Sequence, residues 1–500
     1  MDLVSMLDLN ARKFRDKEAL RYNGQGLSFH DLKQHAEAAA ACLQQWGVQK
    51  GDCVAIMSYN TPAFVTALFG VFKAGAAAVP VNHKLQAPEV SYILNHSHAR
   101  VFLFDGELAP VAEKLEYDGR LASLDSDAPG FDRFEAAAEK AGPFQPVAVQ
   151  DQDYAEVLYT SGTTGKPKGC LHTHSNVVFA GITGALTVKM DETDRLLTAM
   201  PIWHSSPLNN WFMAAQYVGA TAVLMREYHP LHFLQTIQDE KCTVYFGAPI
   251  SYIMPTQMIP NFDEFDLSSM RAFIYGGGPI AGNVAMQLME KYRSENFFQV
   301  YGMTEAGPTG TVLQPRDQVR KAGSIGCRAL PGADLRVVKD DGTDAQSGES
   351  GEIWLKADCM MKGYLYDEKS TQEAFHEGWY RTGDMARVDE DGYLFIVDRK
   401  KDMIVAGGEN VYSKEVEDAI ALHPEVVEAA VVGKPHPEWG ETVAAKIVLK
   451  PEAETTSEEI ADFLKDKLAK YKIPREYSFV AELPHTPTGK VKKFELRDGQ

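Results

Sequence analysis

Apolar positions in the first third of the chain change period repeatedly. Ser28-Phe29-His30-Asp31 reads as a capping box that opens an alanine-rich helix running to about Gly47. Residues 52–57 then form an apolar, strand-like run. A helix over 63–74, a strand over 78–81, a helix over 89–95 and a strand over 101–104 continue the alternation. Helices and strands in strict succession predict parallel α/β layering.

The texture changes between 335 and 397, where short strands are joined by Asp341-Gly342 and Asp391-Gly392 turns of the kind that close antiparallel hairpins. This predicts a β-rich subdomain. After Asp398-Arg399-Lys400-Lys401-Asp402 a second alternation begins, with strands near 429–432 and 443–449 and a helix over 457–470. The predicted organisation is α/β: a large N-terminal domain over 1–397 (α/β subdomains to about 325, the β-rich part from about 326) and a small α+β C-terminal domain over 398–500. The boundary falls at Asp398.

The chain has 500 residues, 45% hydrophobic and 24% charged, which is ordinary for a soluble protein. The most apolar stretch, 67–81, carries Lys73 and Pro80 and falls short of the roughly 18 uninterrupted apolar residues that a membrane span needs. The opening Met1-Asp2-Leu3-Val4-Ser5 lacks the basic start of a signal peptide. Six scattered cysteines form no Cys-x-x-Cys pair, which fits a reducing compartment, and a cytoplasmic protein is expected. The net charge of -19, with no basic stripe, argues against a nucleic-acid partner.

The strongest local signal is Tyr159-Thr160-Ser161-Gly162-Thr163-Thr164-Gly165-Lys166-Pro167-Lys168-Gly169, which follows a strand-like run and precedes a helix expected near Ser175. Glycines let backbone N–H groups approach phosphate oxygens, hydroxyls add hydrogen bonds, and two lysines supply charge. It is not a Walker A loop, because Gly162 and Gly165 are too close and Pro167 follows Lys166. Taken alone, the segment could also be a flexible turn.

Together with Gly276-Gly277-Gly278-Pro279, Tyr301-Gly302-Met303-Thr304-Glu305, Tyr380-Arg381-Thr382-Gly383-Asp384, the Asp398 cluster and Pro484-His485-Thr486-Pro487-Thr488-Gly489-Lys490, this loop resembles the superfamily of acyl-CoA synthetases, luciferases and peptide-synthetase adenylation domains. The resemblance spans nearly the whole chain. It implies a barrel-like β subdomain, a mobile C-terminal domain, and an ATP-dependent ligase that makes an acyl-AMP and passes the acyl group to coenzyme A. ATP and coenzyme A would be co-substrates and Mg²⁺ the metal; a homodimer is compatible with it.

By the same resemblance, Thr160 to Gly165 and Lys168 face the phosphates, Tyr301 and the backbone of Gly276, Gly277 and Gly278 sandwich adenine, and Gly302 and Met303 complete that wall. Thr304 meets the α-phosphate, while Glu305 with Thr160 holds Mg²⁺, a hard cation suited to oxygen ligands. Asp384 offers two acceptor oxygens to the ribose hydroxyls, with Arg399 beside it. Asp398 is the hinge. Lys490 carries adenylation, its ammonium offsetting the charge that builds where carboxylate meets phosphate. His485 and Pro487 depart mildly from the family loop.

The resemblance places the acyl pocket along 204–211, 246–249, 275–278 and 303–309, with His204, Ser205, Asn209, Trp211, Phe246, Tyr275, Gly276, Pro308 and Thr309 as its residues. His204 would orient the acid. No carboxylate follows His204 to pair with a substrate ammonium, and these segments hold no Lys or Arg for a second carboxylate. A fatty acid of medium or longer chain is therefore favoured, with an aryl or cinnamic acid as the alternative. Trp211 also reads as core, since Leu208, Trp211, Phe212 and Ala215 share helical spacing. For coenzyme A the matching positions are Gly407, Gly408 and Trp439.

Competing activities are loading of a carrier protein, a luciferase-type oxygenase and a nucleotide-binding scaffold without chemistry. The ending Arg497-Asp498-Gly499-Gln500 is neither an attached carrier nor a peroxisomal tripeptide. Lys490, Glu305 and Asp384 argue against the scaffold.

Overall fold

Helices begin where short polar side chains stand ready to cap them. In the computed structural model Ser28 Oγ accepts from the Asp31 N–H at the head of Phe29–Gln45, and Thr61 accepts from the Phe64 N–H at the head of Pro62–Lys73. The structure describes residues 1–500 except 161–165, 279, 281, 407–408, 437–439, 486–490 and 498–500, with backbone alone at 409, 410, 440 and 494. Among these residues no helix is long and apolar enough to cross a membrane.

Two compact units divide the chain, 1–335 with 355–380 and 336–354 with 381–500. The chain passes from one to the other inside the strands Ala333–Val338, Ser350–Ala357 and Trp379–Val388.

The first unit contains two eight-stranded sheets. One runs, edge to edge, Gly363–Tyr364, Lys168–Thr173, Tyr154–Thr160, Ala77–Val81, Cys53–Met57, Ala99–Phe104, Arg120–Ser123, Asp132–Arg133. From Tyr154–Thr160 onward its neighbours are parallel, as the alternation predicts, and the two strands before it pair antiparallel. The other runs Thr311–Leu313, Phe297–Tyr301, Ala272–Gly276, Val244–Gly247, Arg195–Thr198, Thr221–Leu224, Glu18–Tyr22, Gln25–Ser28, parallel except at its two edges. Helices Phe29–Gln45 and Pro62–Lys73 pack together and bury Phe64, Phe69 and Phe72 in the main apolar cluster.

In the second unit a five-stranded sheet has the order Glu409–Val411, Ile404–Ala406, Gly440–Leu449, Val426–His436, with Glu476–Phe479 parallel to Gly440–Leu449. Ile420, Val431, Ile447, Ile460 and Leu464 fill its core. The helix expected to reach 470 ends at Lys465. Both Lys467 and Leu468 donate to the Leu464 carbonyl, so the i→i+4 ladder stops there.

Leu208, Trp211, Phe212 and Ala215 are all buried, as their spacing predicts. Ser206–Phe212 is a π-helix that continues as the α-helix Met213–Val218. It lies so close to the helix His174–Val188 that a Cβ at Gly184 would stand 1.9 Å from the Asn210 carbonyl oxygen. Alanine in a helix interior normally gains about 1 kcal/mol over glycine, whereas overpacking against backbone costs about 1–3 kcal/mol. Gly184→Ala should therefore lower the urea midpoint despite its better helix propensity; an unchanged or higher midpoint would show that the two helices can part.

Candidate active site

Open α/β sheets present ligands at the carboxyl ends of their strands, where helix N-termini and loop N–H groups converge. Both sheets of the first unit deliver predicted residues there. Thr160 ends Tyr154–Thr160, and its cross-strand partner is Lys168. Ser161, Gly162, Thr163, Thr164 and Gly165 lie outside the described residues. In the second sheet Gly276 ends Ala272–Gly276 opposite Val300, and Tyr301 ends Phe297–Tyr301. Gly277 follows at φ +83°, a conformation that favours glycine. Gly302 lies close under the Pro308 carbonyl, Pro308 and Thr309 are buried, and Met303 packs beside Cys170 and Met361.

Thr304 and Glu305 open a short 3₁₀ turn, Thr304–Ala306. The Thr304 and Ser205 hydroxyls share a hydrogen bond of 2.8 Å. Glu305 Oε1 accepts from Thr160 Oγ1 at 3.5 Å and from the Tyr364 hydroxyl at 3.2 Å. The predicted metal positions Thr160 and Glu305 thus meet in one set of contacts, and the predicted phosphate and acyl positions Thr304 and Ser205 in another. Lys168 Nζ donates to Ser370 Oγ at 2.6 Å, lies 3.7 Å from Asp367 and sits 5.0 Å from the centre of the Tyr364 ring. Tyr364 and Ser370 were not singled out from sequence. A motif search sees only charged and glycine-rich signatures, and neither residue belongs to one.

The acyl-pocket positions divide. His204 is exposed, with its ring against Trp203, and Ser205 is buried beside Thr304. Trp211 stacks on Phe246 at 5.5 Å and 20° within an apolar cluster that includes Ala214 and Ile274. The Tyr275 hydroxyl is buried and donates to Gln318 Oε1 at 2.7 Å. Asn209 turns inward and donates to Glu156 Oε1.

Glu156 lies on Tyr154–Thr160 opposite His172 and is fully buried. Burial pushes its carboxyl up to about 7, only partly offset by the Asn209 hydrogen bond. Burial pulls the His172 imidazole down to about 4, so it is neutral. Cys170, Glu156 and His172 were likewise not expected; a strand that ends in a phosphate loop gives no sign that its interior carries a carboxyl.

In the second unit Asp384 and Arg399 are cross-strand partners, and Arg399 Nε lies 2.7 Å from Asp384 Oδ1. The Asp384 N–H donates to Thr382 Oγ1, which itself donates to the Ile353 carbonyl. Asp398 accepts from both the N–H and Oγ of Ser413, at the start of the helix Ser413–Ala421, and burial raises its pKa against the pull of Lys493 and Ser413. Gly407, Gly408, Trp439 and Lys490 lie outside the described residues.

Comparison with known proteins fixes the family. The model for AMP-binding enzymes matches residues 7–365, and that for the AMP-binding enzyme C-terminal domain matches 415–490. The chain belongs to the AMP-binding enzyme family. It is an AMP-forming acid–thiol ligase, which joins a carboxylic acid to coenzyme A through an acyl-adenylate at the expense of ATP. A long-chain fatty-acid–CoA ligase of Mycobacterium tuberculosis is 36% identical, over 94% of this chain and 93% of its own. A feruloyl-CoA synthase of Amycolatopsis is 35% identical over 97% and 96%. Among solved structures, o-succinylbenzoate coenzyme A synthetase from Bacillus subtilis with ATP and magnesium superposes with a TM-score of 0.86 at 30% identity, covering 98% of each chain.

The buried carboxyl gives this ligase a pH signature. An acid whose folded pKa is raised costs stability as it ionises: the penalty is absent below the usual glutamate value of 4.5 and complete once pH passes about 7. Glu156→Gln keeps a hydrogen-bonding group and removes the charge. Its melting temperature relative to the parent should rise steadily across that window and level off above it. A difference that stays flat from pH 4.5 to 8 would show that burial does not raise the Glu156 carboxyl, and one still climbing at pH 8 that it does not ionise in the folded state.

Proposed function

We propose that this ligase activates an apolar monocarboxylic acid, a fatty acid of medium or longer chain in the first instance. The carrying observation is that residues 204–211, 246–249, 275–278 and 303–309 contain no Lys or Arg. A second carboxylate would have no charge partner there. An aryl acid is the second reading, favoured by the near-parallel Trp211 and Phe246 rings, which offer a flat apolar wall, and by the feruloyl-CoA synthase relative.

In this reading Tyr301 and the glycines 276–278 hold adenine, Asp384 and Arg399 the ribose, and Thr304 and Lys168 the phosphates. Glu305 and Thr160 would hold Mg²⁺, and their oxygen donors fit a hard cation that takes its remaining ligands from phosphate oxygens. The cation, when bound, neutralises charge on the departing pyrophosphate. Ser205, paired with Thr304, and His204 orient the acid carboxylate for attack on the α-phosphorus, and the Lys490 ammonium stabilises the charge that develops between them. Residues 398–500 then turn about Asp398, so that the thiol of coenzyme A, guided by Gly407, Gly408 and Trp439, meets the acyl-adenylate. Domains 1–397 and 398–500 are the functional division on this view.

Acid-dependent exchange between ATP and pyrophosphate should proceed without coenzyme A, and AMP release at turnover should require it. Production of ADP and phosphate would refute the scheme. A panel of aliphatic acids of increasing length beside cinnamic and benzoic acids should give the highest kcat/KM for an aliphatic member; a preference for a ring acid selects the second reading.

Lys490→Ala should lower the adenylation rate by about two to four powers of ten, as loss of one preorganised charge does, while supplied acyl-AMP is still converted to thioester. Equal loss in both steps, with the fold intact by circular dichroism, would contradict that role. Proline at 398 fixes φ, so Asp398→Pro should slow thioester formation more than adenylation.

A further inference from the structure

We infer that Tyr364 is a positioning residue for the nucleotide site, holding the carboxylate that faces the metal and standing beside the ammonium that faces the phosphates. The inference deepens the reading of Glu305 and Lys168 given above and rests on it. Three observations carry it. The Tyr364 hydroxyl donates to Glu305 Oε1 at 3.2 Å, and Thr160 donates to the same oxygen at 3.5 Å. Lys168 Nζ lies 5.0 Å from the centre of the Tyr364 ring, while Ser370 and Asp367 hold it from another side. Tyr364 is itself fixed by backbone: its strand Gly363–Tyr364 pairs antiparallel with Leu171 and Cys170, and its N–H donates to Thr371 Oγ1 at 2.8 Å.

The chemistry follows from these contacts. A carboxylate that must present an oxygen to a cation has two χ rotations and a flip to lose, and each hydrogen bond to one oxygen removes part of that freedom before the cation arrives. A phenol hydroxyl can donate as well as accept, and here it donates to the carboxylate. The ring face supplies negative potential to the Lys168 ammonium without competing for it as a carboxylate would. Glu305 is also tied through its backbone, since the Met361 N–H donates to its carbonyl at 3.0 Å, three residues before Tyr364. The segment 361–364 thus grips Glu305 at both main chain and side chain.

Tyr364→Phe removes the hydroxyl and keeps the ring, the strand and the Lys168 contact. The probe is a non-hydrolysable ATP analogue titrated calorimetrically with excess Mg²⁺ and again with EDTA, alongside steady-state kinetics. Loss of a hydrogen bond to a charged group should weaken analogue binding about tenfold with Mg²⁺ and leave it nearly unchanged with EDTA. The Mg²⁺ concentration at half-maximal rate should rise by about the same factor, and KM for the acid should not move. Equal weakening in both titrations would mean that the hydroxyl acts on the nucleotide itself, and no change or tighter binding would mean that it does not position Glu305; either overturns the inference. Glu305→Gln is the control. If that variant also keeps its Mg²⁺ dependence, the reading of Glu305 fails; if it loses it while Tyr364→Phe does not, only the role of Tyr364 fails.

Discussion

Two parallel sheets that end against one another create a seam of strand termini, and every polar group there must be satisfied before a substrate can be. In this ligase the links across the seam are of three kinds: Thr160 from one sheet reaches Glu305, which follows the other, Arg226 pairs with Asp105, and Asn60 donates to the Thr198 and Met225 carbonyls. A hydroxyl suits the first of these because it can donate or accept as its surroundings change. The remaining features of the first unit arrange themselves around this constraint. Tyr364 braces the carboxylate from a strand added at the sheet edge, and the buried Glu156–Asn209 pair ties the π-helix to the strand that carries the phosphate loop.

Periodicity made the α/β layering legible, because helix 29–45 buries one face, while helix 62–73 and the central strands are buried almost throughout. Motif chemistry singled out Thr160 with Glu305 and Asp384 with Arg399, and the members of each pair are in contact. What escaped was chemistry carried by unexceptional residues. Tyr364 reads as a strand aromatic until its hydroxyl is found on a carboxylate. Glu156 lies one strand residue from apolar neighbours on either side, so alternation would put it on a solvated face; instead both faces of that strand are covered. Asn209 read as a pocket residue because the segment around it does, while its amide turns to the interior.

The π-helical start of the segment around Trp211 is a separate matter. The π-helical part packs closely on Gly184, through Asn210, and the α-helical part on Gly181, through Met213 and Ala214. Sequence carries the glycines of that contact in a neighbouring helix, 26 residues before Asn210 in the case of Gly184, where no local window would look.

The wider coil of that π-helix has a consequence for transplanting specificity between members of this family. In an i→i+5 turn Ser206 and Trp211 are stacked neighbours, whereas an α-helix would pair residues four apart. A relative whose segment coils as an ordinary α-helix presents its side chains in a frame displaced by one position. Copying its residues number for number would graft the right letters onto the wrong faces, and the donor motif must be slid along the chain by a residue before the exchange is made.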